Sequence, residues 1–97
     1  MTLTSDPSVE TNQTEGTDVT FTCIVDGNQV PTLSLWLLDE NGRVLRASDE
    51  IVTDKESTFT VTLTRYHNRK QFFCKATNEN PKYVYHSNRI EYTVYCK

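Results

Sequence analysis

Apolar and polar side chains alternate along most of this chain with a period of two. In residues 18–25, Val19, Phe21, Cys23 and Val25 fall on one side, and Thr20 and Thr22 fall on the other. Residues 57–64 repeat the pattern, with Phe59, Val61 and Leu63 set against Thr58, Thr60, Thr62 and Thr64. Residues 70–77 align Phe72, Cys74 and Ala76, and residues 88–95 align Ile90, Tyr92 and Val94. Successive side chains of a strand point to opposite faces, so each run predicts a strand with one buried and one wet face, as antiparallel sheets have. Residues 32–38 are the most apolar stretch and carry the only Trp. They run through Asp39-Glu40-Asn41-Gly42-Arg43 into residues 44–47, and Asn-Gly marks a tight turn there. Further turn signals fall at Gly16, at Asp26-Gly27-Asn28 and at residues 78–81, while residues 5–17 read as an edge strand with a loop. Strands about eight to twelve residues apart, with no helical period, predict an all-β sandwich or barrel.

Composition sharpens this picture. The 97 residues contain fifteen Thr and nine Val against two Ala and seven Leu, which suits pleated strands and argues against a helical bundle. Ten aromatic residues support a core and argue against disorder. Residues 1–97 read as one domain excised from a larger protein, with Met1 as an added initiator. No run reaches the eighteen or so apolar residues of a membrane span, so direct membrane insertion by this domain is not expected. Residues 1–64 hold three basic and eleven acidic side chains, a balance of −8, whereas residues 65–97 carry +5. Such a two-signed chain either steers an oppositely polarised partner or pairs its own halves. An overall charge of −3 and the lack of any basic–aromatic module point away from nucleic acid.

Cys23, Trp36 and Cys74 lie on three separate predicted strands, and Phe72-Phe73-Cys74-Lys75-Ala76-Thr77-Asn78 forms an aromatic-x-Cys-x-Ala-x-Asn run. In these features residues 9–95 resemble the immunoglobulin superfamily, and the short Cys23–Cys74 interval is similar to its I-type and second-constant-type modules, as in cell-adhesion molecules and receptors. The resemblance implies an immunoglobulin-like two-sheet antiparallel sandwich with Greek-key connections. It also implies a Cys23–Cys74 disulfide packed against Trp36 in the core. Two positions depart from the pattern: Phe72 stands where a corner Tyr is usual, and Asn68 where an Asp is usual. The implied disulfide places the domain in an oxidising, extracellular setting, secreted or in the ectodomain of a membrane-anchored protein. The competing setting is an intracellular module with reduced thiols. Asn12-Gln13-Thr14 is the only glycosylation sequon, with Asn12 as acceptor. Cys96 is left over, and is expected as an exposed thiol whose native partner lies outside the domain.

Nothing in the chain argues for catalysis. His67 and His86 fall in polar corners, and there is no phosphate loop or metal-ligand spacing, so no enzyme activity, cofactor or metal is expected. Binding is expected instead. With Trp36 and Cys74 facing inward, the outer face of their sheet should display Leu35, Leu37, Phe73 and Tyr95, rimmed by Lys75, Arg89 and Glu91. That patch fits a protein partner, homophilic or heterophilic, or else cover by adjacent domains of the parent chain. The alternatives are a passive structural spacer, or the immunoglobulin-like arm of a secreted immune-recognition protein. Asn41-Gly42-Arg43 superficially matches an adhesion tripeptide and is read as the hairpin turn.

Overall fold

A computed structural model describes residues 1–7, 13–27, 30–78 and 84–95. Asn12 and Cys96 lie outside the described residues. One sheet joins β1 (Thr2–Asp6), β3 (Asp18–Ile24) and β7 (Glu56–Thr62) in that order, all antiparallel. The other is built on β4 (Thr32–Leu38) and β8 (Gln71–Thr77). Short strands β5 (Val44–Arg46) and β6 (Val52–Thr53) flank β4, and β9 (Val84–His86) and β10 (Ile90–Glu91) flank β8. A third, parallel pair joins β2 (Gln13–Thr14) to β11 (Val94–Tyr95). Alternation carried the strands at 18–25, 57–64 and 70–77, and apolarity the one at 32–38, to within two residues of their observed ends. The run at 88–95 breaks between β10 and β11, where the Tyr92 carbonyl accepts from Arg69 N–H at 2.9 Å and the chain moves over to β2.

Between the sheets lie Val19, Phe21, Cys23, Phe59 and Leu63 from one side, and Leu33, Leu35, Phe72, Cys74 and Tyr92 from the other, all fully buried. The Cys23–Cys74 disulfide crosses this core, joining Cα atoms 6.3 Å apart. The opposite face of the first sheet is Thr20, Thr22, Thr58, Thr60 and Thr62, in contact with solvent.

The register of β4 corrects three expectations. Leu35 lies opposite Cys74, Leu33 opposite Ala76 and Leu37 opposite Phe72. Directly opposed residues of an antiparallel pair share a face, so the inward Cys74 draws Leu35 inward. Leu35 and Leu37 are therefore core residues, at 0% and 1% exposure, and Trp36 lies on the outer face, partly exposed. The driving force is simple. Burying Leu33, Leu35 and Leu37 gains about 1.5–3 kcal/mol each, whereas the opposite register would bury Thr32 and Ser34 beside Trp36. The indole N–H then finds its partner locally, donating to Ser34 Oγ at 2.8 Å. Tyr95 is corrected as well: it is exposed, but on β11, outside the Trp36 sheet.

Two stitches hold the ends of the sandwich. The Asn88 side chain binds both backbone groups of Leu3, accepting from its N–H at 2.9 Å and donating to its carbonyl at 3.0 Å. The Tyr92 hydroxyl donates to the Pro7 carbonyl. The corner between β7 and β8 is a 3-10 turn at Arg65–His67, capped by Thr64. Phe72, in place of a corner Tyr, packs its ring on Phe21 (4.4 Å between centroids) and on His67 (5.6 Å). Asn68 Oδ1 accepts from Val94 N–H at 2.9 Å, so this residue ties the corner to the last strand.

His67 makes the corner sensitive to pH. Its Nδ1 accepts from Thr64 N–H at 3.0 Å, which requires an unprotonated nitrogen. Burial, and then the nearby Lys70 charge, lower its pKa below the usual 6.5. The folded state thus prefers neutral His67. Its contribution to stability is complete above about 6.5 and is lost as pH falls through the lower folded value. Thermal melts at pH 7.5 and 5.5 should show a larger loss of Tm for the wild type than for His67→Asn, and equal losses would refute this role.

Candidate interaction surface

On β4, residues 32, 34, 36 and 38 point away from the core, and the register extends these positions into rows across the sheet. In the central row Arg46, Trp36 and Phe73 stand side by side on β5, β4 and β8. The next row runs Ser34, Lys75 and His86, and a third runs Thr53, Thr32, Thr77 and Val84. Val44, Leu38, Gln71 and Glu91 close the other end.

Trp36 sits between two cations. The Arg46 Cζ lies 4.9 Å from the ring centroid and Lys75 Nζ lies 5.2 Å from it. Each such contact is worth about 0.5–1 kcal/mol at an exposed site. Arg46 also donates through Nε to the Ser48 carbonyl at 3.2 Å, which fixes its side chain along the sheet edge. Phe73, although on the outer face, is only 6% exposed; its ring lies 5.2 Å from His86, edge to face. Arg89 is exposed and reaches Gln71 Oε1 at 3.5 Å, which places it on this face beside β8.

Of the residues expected to form the patch, the structure brings together Phe73, Lys75, Arg89 and Glu91. It removes Leu35 and Leu37 to the core and Tyr95 to another sheet. Trp36, Arg46 and His86 take their places. The turn at residues 39–43 is a hairpin turn: Asp39 Oδ1 accepts from the N–H groups of Asn41 and Arg43, and Gly42 adopts a φ of 81°. A glycine reaches that left-handed conformation without steric cost.

The architecture of two disulfide-clamped antiparallel sheets agrees with the comparison of sequences. A family model of the immunoglobulin domain matches residues 2–78. The chain belongs to the immunoglobulin domain family. No curated protein matches it. Immunoglobulin domains are generally non-catalytic, and a disulfide within one suggests an extracellular context. No helix among the described residues of this immunoglobulin domain is long and apolar enough to cross a membrane. What distinguishes it is the tryptophan. In the superfamily pattern a buried Trp packs on the disulfide, whereas Leu35 occupies the position opposite Cys74 here and the Trp has moved to the surface.

Proposed function

We propose that this immunoglobulin domain is a non-catalytic extracellular recognition module that binds a protein partner through the outer face of its Trp36 sheet. The observation that carries this reading is the central row, in which Trp36 and Phe73 lie side by side and Trp36 is held between Arg46 and Lys75. Trp and Arg are the side chains most enriched where interfaces concentrate their energy, because each presents a large surface together with directional polar groups. A Trp kept on the surface beside two cations supports a binding role more than a spacer role. The threonine face of the other sheet is what a passive surface looks like in the same molecule.

The test uses the domain displayed as a fluorescent tetramer on panels of cells. Trp36→Ser should lower staining about tenfold or more, with Tm nearly unchanged, and Arg46→Glu should lower it too. Thr60→Lys, on the opposite sheet, should stain as the wild type does. If all three variants stain alike, or if the wild type stains no cell type, the reading fails and the spacer stands.

A further inference from the structure

Asn41-Gly42-Arg43 forms the hairpin turn, and it also carries a chemistry of its own. An asparagine side chain ahead of a glycine is open to attack by the glycine's backbone nitrogen, because no Cβ on the following residue shields that nitrogen. The turn itself demands this glycine, since Gly42 sits at a φ of 81°. A Cβ built on Gly42 would meet nothing within 4 Å beyond its chain neighbours, so the approach is clear. Asn41 and Gly42 are both exposed. No hydrogen bond among the described residues holds the Asn41 side chain; only its backbone N–H is engaged, by Asp39 Oδ1 at 2.9 Å. Asn68 and Asn88 differ on both counts. Asn68 Oδ1 accepts from Val94 N–H, the Asn88 amide is bound at both ends to Leu3, and each is followed by Arg rather than Gly.

We infer that Asn41 is a site of spontaneous modification, where the side-chain amide is lost through a cyclic imide with Gly42 and an isoaspartate is left at the tip of the β4–β5 hairpin. Water is the only co-reactant. The Gly42 nitrogen gives its proton to hydroxide and bonds to Asn41 Cγ; the Cγ–Nδ2 bond breaks, and ammonia leaves with a proton from water. Water then opens the imide at one of its two carbonyls. Breaking the bond from the Gly42 nitrogen to Cγ leaves aspartate. Breaking its bond to the main-chain carbonyl of residue 41 leaves isoaspartate, with the chain running through Cβ and Cγ. The Gly42 N–H donates to the Asp39 carbonyl at 3.1 Å, so the folded turn acts as a brake until that bond opens. Exposed loop tips open at little cost in free energy, which lets the reaction proceed from the folded domain.

The product reaches the Trp36 row. Isoaspartate puts one more atom into the main chain between residues 41 and 42. That spoils the spacing by which Arg43 N–H meets Asp39 Oδ1 at 2.8 Å and Asp39 N–H meets the Arg43 carbonyl at 3.0 Å. The new carboxylate also stands third in a row after Asp39 and Glu40, where like charges repel. β5 begins directly after the turn and holds Arg46 against Trp36, so a loosened turn loosens that contact.

The test is to age the folded domain at 37 °C and pH 8.5 and to separate the more negative fraction by ion exchange. Peptide mapping with electron-transfer fragmentation should place isoaspartate at position 41. It should form several-fold faster than at pH 6, because the attacking nitrogen must lose its proton. Asn68 and Asn88 should stay intact, and Asn41→Gln should lose the isoaspartate fraction. That fraction should melt below fresh Asn41→Asp protein, which carries the same charge on an ordinary backbone. Emission from Trp36, the only Trp, should shift with it. The inference is overturned if position 41 keeps its amide, if Asn68 or Asn88 converts as fast, or if the converted fraction matches Asn41→Asp in both melt and emission.

Discussion

Leu35→Asp should leave this domain unfolded at room temperature, while Trp36→Ser, one residue away, should melt close to the wild type. Leu35 is fully buried opposite Cys74. Truncating such a leucine to Ala costs about 2–5 kcal/mol, through lost burial and the cavity left behind. A carboxylate at the same place adds the cost of desolvating a charge with no partner, several kcal/mol more. Domains of this size hold about 5–15 kcal/mol in all, so the sum consumes the stability. Far-UV circular dichroism and urea titration of the two variants, with Leu35→Ala as an intermediate, check the order. A folded Leu35→Asp protein would mean that the β4 register is slipped by one and that Trp36 is inside.

Replacing both Cys23 and Cys74 by Ala should destabilise the domain by about 4 kcal/mol. The bridge closes a 51-residue loop, and constraining the unfolded chain over that length accounts for this figure on the chain-entropy model. Both sulfurs are fully buried, so the alanines also leave a small void in the core. With a urea slope of about 1–3 kcal/mol per molar, the denaturation midpoint should fall by roughly 2 M. A midpoint within a few tenths of a molar of the wild type would show that the sheets hold without their clamp.

The strands were legible because alternation is a local property, written at Val19, Phe21 and Cys23 and again at Phe59, Val61 and Leu63. The disulfide followed from the resemblance. The resemblance implies a buried Trp, but on β4 the neighbours outweigh Trp36. Thr32 and Ser34 share its parity, and their hydroxyls marked that side as the wet one. Three leucines at 33, 35 and 37 said the same. Both signals were present in the sequence and outweigh one large ring, since a strand buries a face as a set. The rest was not local. That Arg46 reaches Trp36 depends on which residues the hairpin at 39–43 brings opposite each other. The near-complete burial of Phe73 on an outer face depends on His86 arriving from a strand thirteen positions further on. The separation of Tyr95 from the Trp36 sheet depends on the break after Glu91, where the Tyr92 carbonyl is taken by Arg69 rather than by a neighbouring strand.

The two bonds from Asn88 to Leu3 matter beyond the strength they add. Among the described residues β1 is an edge strand, with β3 on one side and no strand on the other. An open edge is a template on which another extended chain can crystallise one residue at a time. The Asn88 amide presents one donor and one acceptor, the same pair a neighbouring strand would offer, and it occupies Leu3 on the free side. The side chain acts as a one-residue counterfeit of a strand. It ends the sheet where a real strand would have extended it, and so keeps a protein made of sticky ribbons from growing by its own rules.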